Sequence, residues 1–265
     1  MATPPKKPTP RRPSRGPNFV HSLAKGLEVL SHFSRGDLLG NQELVERTGL
    51  PKATVSRLTS TLLELGYLRL DEASRKFFMG TRVLGMGASV QRNIGLHRAA
   101  RPFMERLSQE MDVTVALGAR DRLGIVFLEL IRPKRSRLTV NSDIGSVLPI
   151  ESTAIGLSYL VAAPLAERTR LLDALRKRYP DNWPAIRGNI EKAHQEFERH
   201  GFVSSQKSWG REVNGIAVPL MLQKKGGLFT LSCAGPSHQL SQAFMRSQLG
   251  PRLLDVSIAQ SARAS

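Results

Sequence analysis

The stretch TGLPKATVSRLTSTLLELGYL, residues 48–68, constrains the fold of this chain more than any other feature. It opens with a turn and continues with helical spacing, because Val55, Leu58 and Leu62 recur at i, i+3 and i+7. These three side chains predict a face that packs inward, and Gly66 marks the end of the helix. The opposite side of the helix is therefore exposed, and its residues are small, polar or basic.

A second short helix is predicted immediately before it, over residues 41–49, NQELVERTG. Asn41 is the predicted cap of that helix, and Gly49 is expected to end it. Pro51 falls in the first turn of the following helix, where its missing N–H is tolerated. Two short helices joined by a tight glycine-containing turn indicate a helix-turn-helix.

The exposed side of the second helix suits the major groove of DNA, with its N-terminal residues nearest the base edges. Small or hydroxyl side chains allow close approach, arginine reaches guanine or phosphate, and free N–H groups at a helix start bind phosphate oxygens. Residues 67–80, YLRLDEASRKFFMG, predict a hairpin that serves as a basic wing. The candidate DNA-binding residues are Lys52, Ala53, Thr54, Ser56, Arg57, Ser60, Arg75 and Lys76. The alternative is a winged helix that docks protein instead of DNA.

Ordered structure is expected to begin at residue 18 with a further helix, NFVHSLAKGLEVLSHF. Apolar side chains recur there at helical spacing and form one stripe. The stripe consists of Val20, Leu23, Leu27, Leu30 and Phe33. Residues 1–17 hold six prolines and five basic residues, which predicts a disordered arm.

The charge of the chain favours polyanions as partners. Lys and Arg number 39 against 22 Asp and Glu, a formal net charge of +17. The excess is shared, since residues 1–92 carry +8 and the remainder carries +9. Double-stranded DNA is the first candidate partner. A solvated basic surface or an anionic small ligand would account for the same excess.

The composition argues against several other classes of protein. No stretch approaches the roughly 18 apolar residues of a membrane span, and the N-terminal residues lack the apolar core of a secretory signal. The single cysteine, Cys233, excludes an intrachain disulfide framework. These observations predict a cytoplasmic protein with no membrane partner.

From about residue 96 the pattern changes to strands in runs with helices around them. Residues 112–120 and 123–132 predict a strand pair on either side of Asp121 and Arg122. Further strands are predicted over 136–142, 201–207, 214–222 and 228–236, and helices over 96–111, 152–163, 165–178, 185–200 and 241–262. This order predicts an α+β fold with an antiparallel sheet, not a doubly wound parallel one.

Two sets of motifs resemble the IclR family of bacterial transcriptional regulators. HSLAKGLEVL (21–30) and ELVERTGLPKATVSRLTSTLLELGYL (43–68) are similar to the DNA-binding half of that family. GSVLPIESTAIGLSYLVAA (145–163), HGFVSSQKSWGREVNGIAVPL (200–220) and LSCAGP (231–236) are similar to its effector-binding half. The likeness spans nearly all of residues 18–262, and the two sets follow the family's order.

The resemblance implies an N-terminal winged helix-turn-helix, a linker helix and a C-terminal GAF/PAS-like effector domain. It divides the chain into the arm at 1–17, a DNA-binding domain at 18–80, a linker at 81–95 and an effector-binding and oligomerisation domain at 96–265. Such regulators pair through their DNA-binding halves, commonly form tetramers and sense small organic acids of catabolic pathways. We therefore expect a homodimer or homotetramer that binds a DNA operator as a repressor or an activator.

The start of the helix predicted at 152–163 is a candidate anion site, because free N–H groups at a helix N-terminus favour a carboxylate. Ser152 is the predicted cap of this helix. Close packing of a small-residue helix on the sheet would explain the same sequence. The resemblance implies an effector cavity lined by Ala154, Ile155, Ser205, Val213, Gly215, Ser232 and Ala234.

The chain departs from some organic-acid-binding members of the family at three of these positions. Those members have Asp in place of Ser205, Cys in place of Gly215 and Ser in place of Ala234. The cavity is therefore expected to be less acidic and roomier. This favours an acid that is larger or more aromatic than glyoxylate or pyruvate.

The sequence offers little support for an enzyme. It lacks paired-Cys or His-x-x-x-His spacing for zinc and a Gly-x-Ser-x-Gly nucleophile elbow, so no catalytic residue, metal or cofactor is predicted. Cys233 lies on the opposite face of its predicted strand from Ser232 and Ala234, and it is expected to be a buried core thiol. A ligand-responsive DNA-binding regulator is the leading interpretation. An enzyme built on the C-terminal domain and a protein-docking scaffold are the alternatives.

Overall fold

The computed structural model describes residues 17–33, 36–94, 96–134, 142–209, 212–222 and 227–263. Most of the predicted arm (1–16) and most of one predicted strand (135–141) lie outside the described residues. The chain divides into two compact units, Met1–Val90 and Gln91–Ser265.

The described residues of the first unit up to Gly80 form three helices and a two-stranded hairpin. The helices are α1 (His21–Ser31), α2 (Asn41–Thr48) and α3 (Lys52–Glu64), and the strands are β1 (Leu68–Leu70) and β2 (Phe77–Met79). The strands pair antiparallel, with Leu68 opposite Met79, so the hairpin prediction is confirmed. The core of the unit consists of Val29, Leu39, Leu44, Val55, Leu62, Leu68 and Phe77. This arrangement is a winged helix-turn-helix.

The turn between α2 and α3 depends on Gly49. Its φ of 66° lies in the left-handed region, and its N–H donates to the Val45 carbonyl at 2.8 Å. L side chains rarely adopt that conformation, so glycine ends α2 as predicted.

The predicted cap of α2 was wrong by one residue. Gly40 occupies the N-cap position, and the Glu43 carboxylate accepts its N–H at 2.6 Å. Asn41 instead accepts a hydrogen bond from the Thr59 hydroxyl at 3.1 Å. Because Thr59 belongs to α3, the amide of Asn41 holds the two helices of the motif together.

The predicted apolar stripe on α1 packs against the core in its second half and is exposed in its first half. Leu30 and Phe33 are half-buried against the core, and the neighbouring Val29 is fully buried. Leu23 and Leu27 are 62% and 56% exposed. Among the described residues, the first half of the stripe is therefore exposed.

Two further helices follow the hairpin, α4 (Arg82–Ile94) and α5 (Leu96–Met111), and the division between the two units falls within α4. Gly80 lies between β2 and α4 in a confined space. A Cβ atom built there would lie 2.2 Å from the Gly66 carbonyl oxygen. Only glycine lets the chain leave the hairpin so close to the end of α3.

In the described part of the second unit the strands form one antiparallel sheet. Its strands are β3 (Thr114–Asp121), β4 (Gly124–Ile131), β5 (Val147–Pro149), β6 (Val203–Trp209), β7 (Val213–Leu222) and β8 (Gly227–Pro236). They lie in the order β5-β4-β3-β8-β7-β6. The predicted strand pair around Asp121 and Arg122 is β3 and β4. The α+β prediction is confirmed.

Helices cover both faces of this sheet. They are α5 together with α6 (Ala154–Ala162), α7 (Leu165–Arg178), α8 (Trp183–His200), α9 (Gln242–Phe244) and α10 (Gly250–Arg263). One apolar cluster joins the sheet to α6, α7 and α8, and a second joins it to α5 and α10. Val115, Ala116 and Leu117 of β3 alternate between the two clusters, as the period of a strand requires.

The last helical segment is not the single regular helix predicted over 241–262. A π-helical turn, Met245–Leu249, separates α9 from α10, and the Gly250 N–H donates to the Met245 carbonyl five residues earlier. Pro251 follows and has no N–H to donate, so it cannot continue the regular hydrogen bonding of an α-helix. Gly250 also packs against Phe202, since a Cβ at Gly250 would lie 2.3 Å from its ring.

Candidate functional site

Most of the predicted DNA-binding residues of α3 are exposed on one side of that helix. Thr54 is half-buried at the helix start, while Val55, Thr59 and Leu62 are buried on the opposite side. Within the described residues, the Arg57 guanidinium has no hydrogen-bond or ion-pair partner. We name the exposed side the α3 outer face and define it as Lys52, Ala53, Ser56, Arg57 and Ser60.

The start of α3 carries no side-chain cap. Its N-cap position is held by Pro51, which has no side-chain acceptor to offer the first N–H groups. Such groups take their partners from water or from a ligand, and a phosphate is a favourable one. The N-terminus of α3 therefore presents backbone N–H donors beside Lys52 of the α3 outer face.

The hairpin turn is held by a local hydrogen-bond pair. The Asp71 carboxylate accepts the Ser74 hydroxyl at 2.5 Å and the Ser74 N–H at 2.8 Å, and these bonds lower the pKa of Asp71. Arg75 follows with φ 56° and a 71% exposed side chain, paired with Glu72 at 3.3 Å. An exposed pair of this kind is weak, so Arg75 is available to a ligand.

Lys76 has a different environment from Arg75. Its ammonium lies 2.9 Å from one carboxylate oxygen of Glu43, whose other oxygen accepts the Gly40 N–H. The Gly40 N–H and Lys76 together lower the pKa of Glu43. The ion pair between Lys76 and Glu43 therefore connects the hairpin to α2. A phosphate that contacts Lys76 has to share its ammonium with the Glu43 carboxylate.

The second unit holds a cavity of about 60 Å³ between the sheet and the start of α6. It has room for a few water molecules or a small ligand. The seven residues expected to surround an effector all line it, namely Ala154, Ile155, Ser205, Val213, Gly215, Ser232 and Ala234. Much of the remaining lining is apolar and comes from Ala116, Phe127, Leu130 and Leu148.

Four strands supply one row of the cavity wall. Thr114 pairs with Ala234, Ala234 with Gly215, and Gly215 with Ser205. A Cβ added to Gly215 would lie 3.5 Å from the Ala154 side chain, an ordinary contact distance. Glycine is therefore not forced at this position by packing, and it leaves space that a side chain would fill.

The helix start beside the cavity is capped differently from the prediction. Thr153, not Ser152, is the N-cap of α6, and its hydroxyl accepts the Gly156 N–H at 3.2 Å. The same hydroxyl donates to the Pro149 carbonyl at 2.7 Å, which fixes its orientation. The Ala154 N–H donates to the Ser205 hydroxyl at 3.0 Å. Two N–H groups of the predicted anion site are thus already bonded by the chain itself.

A cluster of polar side chains holds α6 to its neighbours. The Tyr159 hydroxyl of α6 donates to Glu167 of α7 at 2.7 Å, and Arg120 of β3 lies 2.7 Å from the same carboxylate. Burial, reinforced by the Glu167 carboxylate, raises the pKa of Tyr159. The cluster joins two helices and a strand, so it limits how far α6 can shift against the sheet.

Arg132 also lines the cavity, although none of the sequence motifs includes it. Among the described residues of the lining it is the one charged side chain. Its guanidinium lies 3.5 Å from the Asp143 carboxylate and donates to the Ser142 carbonyl, and its side chain is 37% exposed. The available signal is the spacing of Leu130 and Arg132, because alternate residues of the strand predicted over 123–132 share a face.

Cys233 is a free thiol with no exposed surface. Its side chain belongs to the cluster on the α5 and α10 side, and burial raises its pKa. The prediction of a buried core thiol is confirmed, and a thiol in this environment is unreactive.

Neither a metal site nor a membrane span is found in the part of the chain that the structure describes. No three His, Cys, Asp or Glu side chains in these ranges are grouped so that they could hold a metal ion. No helix in these ranges is long and apolar enough to cross a membrane.

A winged helix-turn-helix followed by a sheet domain with a cavity defines a class of transcriptional regulators. Family models agree with this class over both halves of the chain. The IclR helix-turn-helix domain matches residues 22–72, and the bacterial transcriptional regulator IclR C-terminal domain matches residues 88–261. The chain belongs to the IclR family. It is a transcriptional regulator with a DNA-binding helix-turn-helix, and it is not an enzyme.

Individual relatives agree with this assignment. The chain is 53% identical over 254 residues to the HTH-type transcriptional regulator TsaQ1/TsaQ2 of Comamonas testosteroni, covering 96% of this chain and 91% of the relative. The crystal structure of an IclR family transcriptional regulator from Brucella abortus superposes with a TM-score of 0.83 at 38% identity, covering 98% of this chain and 100% of that chain.

A more distant structure has the same fold. It is an IclR homologue from Microbacterium hydrocarbonoxydans complexed with 4-hydroxybenzoate, with a TM-score of 0.70 and 20% identity. The match covers 92% of this chain and 100% of that one. At this identity the likeness concerns the fold alone.

Proposed function

We propose that this chain is a ligand-responsive regulator of a catabolic operon that binds a small organic acid in the cavity beside α6. The observation that carries the proposal is the cavity itself, because the seven positions implied by the family resemblance meet there. Its apolar lining suits the carbon skeleton of an acid, and the hydroxyls of Thr114, Ser205 and Ser232 suit polar substituents. The 4-hydroxybenzoate complex of the Microbacterium homologue supports an acid as the ligand class.

The proposed contacts with DNA come from the α3 outer face and the hairpin. Ser56 and Arg57 are directed to base edges in the major groove, while Thr54, Lys52 and the helix start contact phosphates. Arg75 contacts the adjacent backbone as part of the wing. Lys76 has a smaller part in binding because its ammonium is paired with Glu43. A protein with this role works in the cytoplasm and needs no membrane partner.

An effector changes operator affinity only if it binds the competent and incompetent arrangements of the protein with different strength. Coupling energies of about 1–3 kcal/mol are usual, which corresponds to roughly 5–150-fold in affinity. We expect at least one acid to shift operator affinity by an amount in this range, in either direction. The sign of the shift distinguishes an effector that releases the regulator from one that recruits it.

Fluorescence anisotropy of the full chain tests this expectation. The probe is the DNA upstream of its own gene, with a shuffled duplex as the control, titrated in the presence of 4-hydroxybenzoate, benzoate, pyruvate or glyoxylate. Sequence-selective binding that every acid leaves unchanged would contradict the ligand part of the proposal. A response to glyoxylate alone would contradict the preference for a larger acid.

We also propose that a second copy of the chain covers the exposed stripe on α1. Val20, Leu23 and Leu27 are each more than half exposed, and exposed apolar side chains at helical spacing are typical of an interface. Pairing there would present two recognition helices to a two-fold operator, as a homodimer or as half of a homotetramer.

The substitution Leu27→Glu is expected to weaken self-association by about 10–100-fold. Burying one leucine contributes about 1.5–3 kcal/mol, and a carboxylate in its place would be desolvated without a partner. Sedimentation velocity of the full chain measures the effect, with Ser22→Glu as the control because it adds the same charge to the same helix. Equal association of the two variants would contradict an interface on this stripe.

A further inference from the structure

We infer that Arg132 binds the acid group of the effector, and that the acid group competes with Asp143 for its guanidinium. The inference rests on the proposed function, since it assigns the residue that selects acids in the same cavity. Nothing in the motifs of the effector half points to this residue, which lies outside all of them.

The helix start of α6 is a poorer anchor for the acid than the sequence alone indicates. Its Ala154 N–H is bonded to the Ser205 hydroxyl, and its Gly156 N–H is bonded to the Thr153 hydroxyl. An incoming carboxylate would have to displace one of these side-chain acceptors from a buried site, and breaking such a bond has a cost. Among the described residues only the Ile155 N–H of this helix start has no acceptor within the chain, so the acid group needs a further donor elsewhere in the cavity.

A charged group in an apolar cavity requires an opposite charge. Phe127, Leu130 and Leu148 make up much of the wall, and an unpaired carboxylate among them would lose its hydration without compensation. In the described lining Arg132 is the one side chain that carries a charge. Guanidinium groups also match the geometry of carboxylate oxygens, because two N–H groups bind two oxygens in parallel.

The present partners of Arg132 leave it able to exchange. A guanidinium has five N–H donors, and among the described residues its acceptors are one Asp143 oxygen at 3.5 Å and the Ser142 carbonyl. The Asp143 pair is long and both side chains are more than one-third exposed, so it contributes little stability. A ligand that offers two oxygens would replace a weak single contact with a bidentate pair. The class of ligand is therefore a monoanionic acid with an apolar body.

Three variants of the full chain test the assignment. Arg132→Gln removes the charge, and Asp143→Asn removes its competitor. Arg122→Gln is the matched control, because Arg122 is 88% exposed at the β3–β4 turn and is absent from the cavity wall. The probes are benzoate, 4-hydroxybenzoate and pyruvate beside their neutral amides, and the readouts are titration calorimetry and the shift in thermal midpoint.

We expect at least one acid to bind the native chain and Arg122→Gln alike, and to bind Arg132→Gln at least tenfold more weakly. The Asp143→Asn variant is expected to bind the same acid about threefold or more tightly. The amides are expected to bind all four proteins weakly and alike, because they offer no charge to Arg132.

Undiminished acid binding by Arg132→Gln would overturn the assignment while leaving the proposed function intact. If Arg132→Gln does not fold, Asp143→Asn decides the question, since equal or weaker acid binding by that variant would also overturn it. An acid panel that fails to bind the native chain would overturn the ligand part of the proposed function, and the assignment with it.

Discussion

Gly156→Ala is expected to lower the free energy of unfolding of the second unit by about 3 kcal/mol. A Cβ atom at this position would lie 2.5 Å from both the α carbon and the carbonyl oxygen of Ile150. Both are backbone atoms, so no side chain can move to make room, and α6 has to shift away from the segment after β5. For a unit of this size the thermal midpoint should fall by roughly 6–12 °C.

Differential scanning calorimetry of the full chain measures this effect, and Gly188→Ala is its matched control. Gly188 is also a helical glycine, in α8, but a Cβ there meets nothing within 4 Å. Alanine at that position should be neutral or stabilising by up to about 1 kcal/mol, because it restricts the unfolded chain and favours helix. Equal thermal midpoints for the two variants would mean that α6 is not held as closely as these distances require.

Arg57→Ala is expected to weaken operator binding by about 10–100-fold while leaving the fold unchanged. The side chain is exposed on the α3 outer face, and one arginine directed to a guanine edge contributes about 1–3 kcal/mol of discrimination. Its loss should therefore reduce affinity for the operator more than affinity for a shuffled duplex. Anisotropy titrations on both duplexes measure the two effects together.

The control for Arg57→Ala is Arg187→Ala, which removes the same charge from an exposed site in α8. General electrostatic attraction to DNA would respond similarly to either substitution. Operator affinities that fall by the same factor in both variants would exclude a specific role for Arg57. Repeating the titrations at several salt concentrations shows how many phosphate contacts each variant retains.

The sequence predicted those parts of the molecule whose signals are local. The buried side of α3 follows from the spacing of Val55 and Leu62, and the left-handed turn follows from Gly49. The cavity wall was expected because motifs of the effector half resemble a known family. Each of these inferences needs only residues that are close together in the chain, or a pattern already associated with a fold.

The sequence does not predict contacts between residues that are far apart in the chain. The sequence predicts Asn41 as a cap because nothing in it shows that the Thr59 hydroxyl binds the Asn41 amide. The stripe on α1 is a further example, since apolar spacing is the same for a face that meets the core and a face left to a partner. Arg132 is not predicted because it lies one residue beyond the end of β4, and no motif marks that position as part of the cavity wall.

Chemical labelling of Cys233 reports how often the folded protein opens locally around β8. The chain has one cysteine, and because the thiol is fully buried a thiol reagent reacts only with molecules in which β8 has transiently opened. When closing is faster than labelling, the labelling rate is the intrinsic thiol rate multiplied by the opening equilibrium constant. An acid held beside Ser232 and Ala234 would slow labelling by the factor 1 + [L]/Kd. The affinity of any acid that binds there can therefore be measured on the unmodified chain, without DNA and without an introduced label.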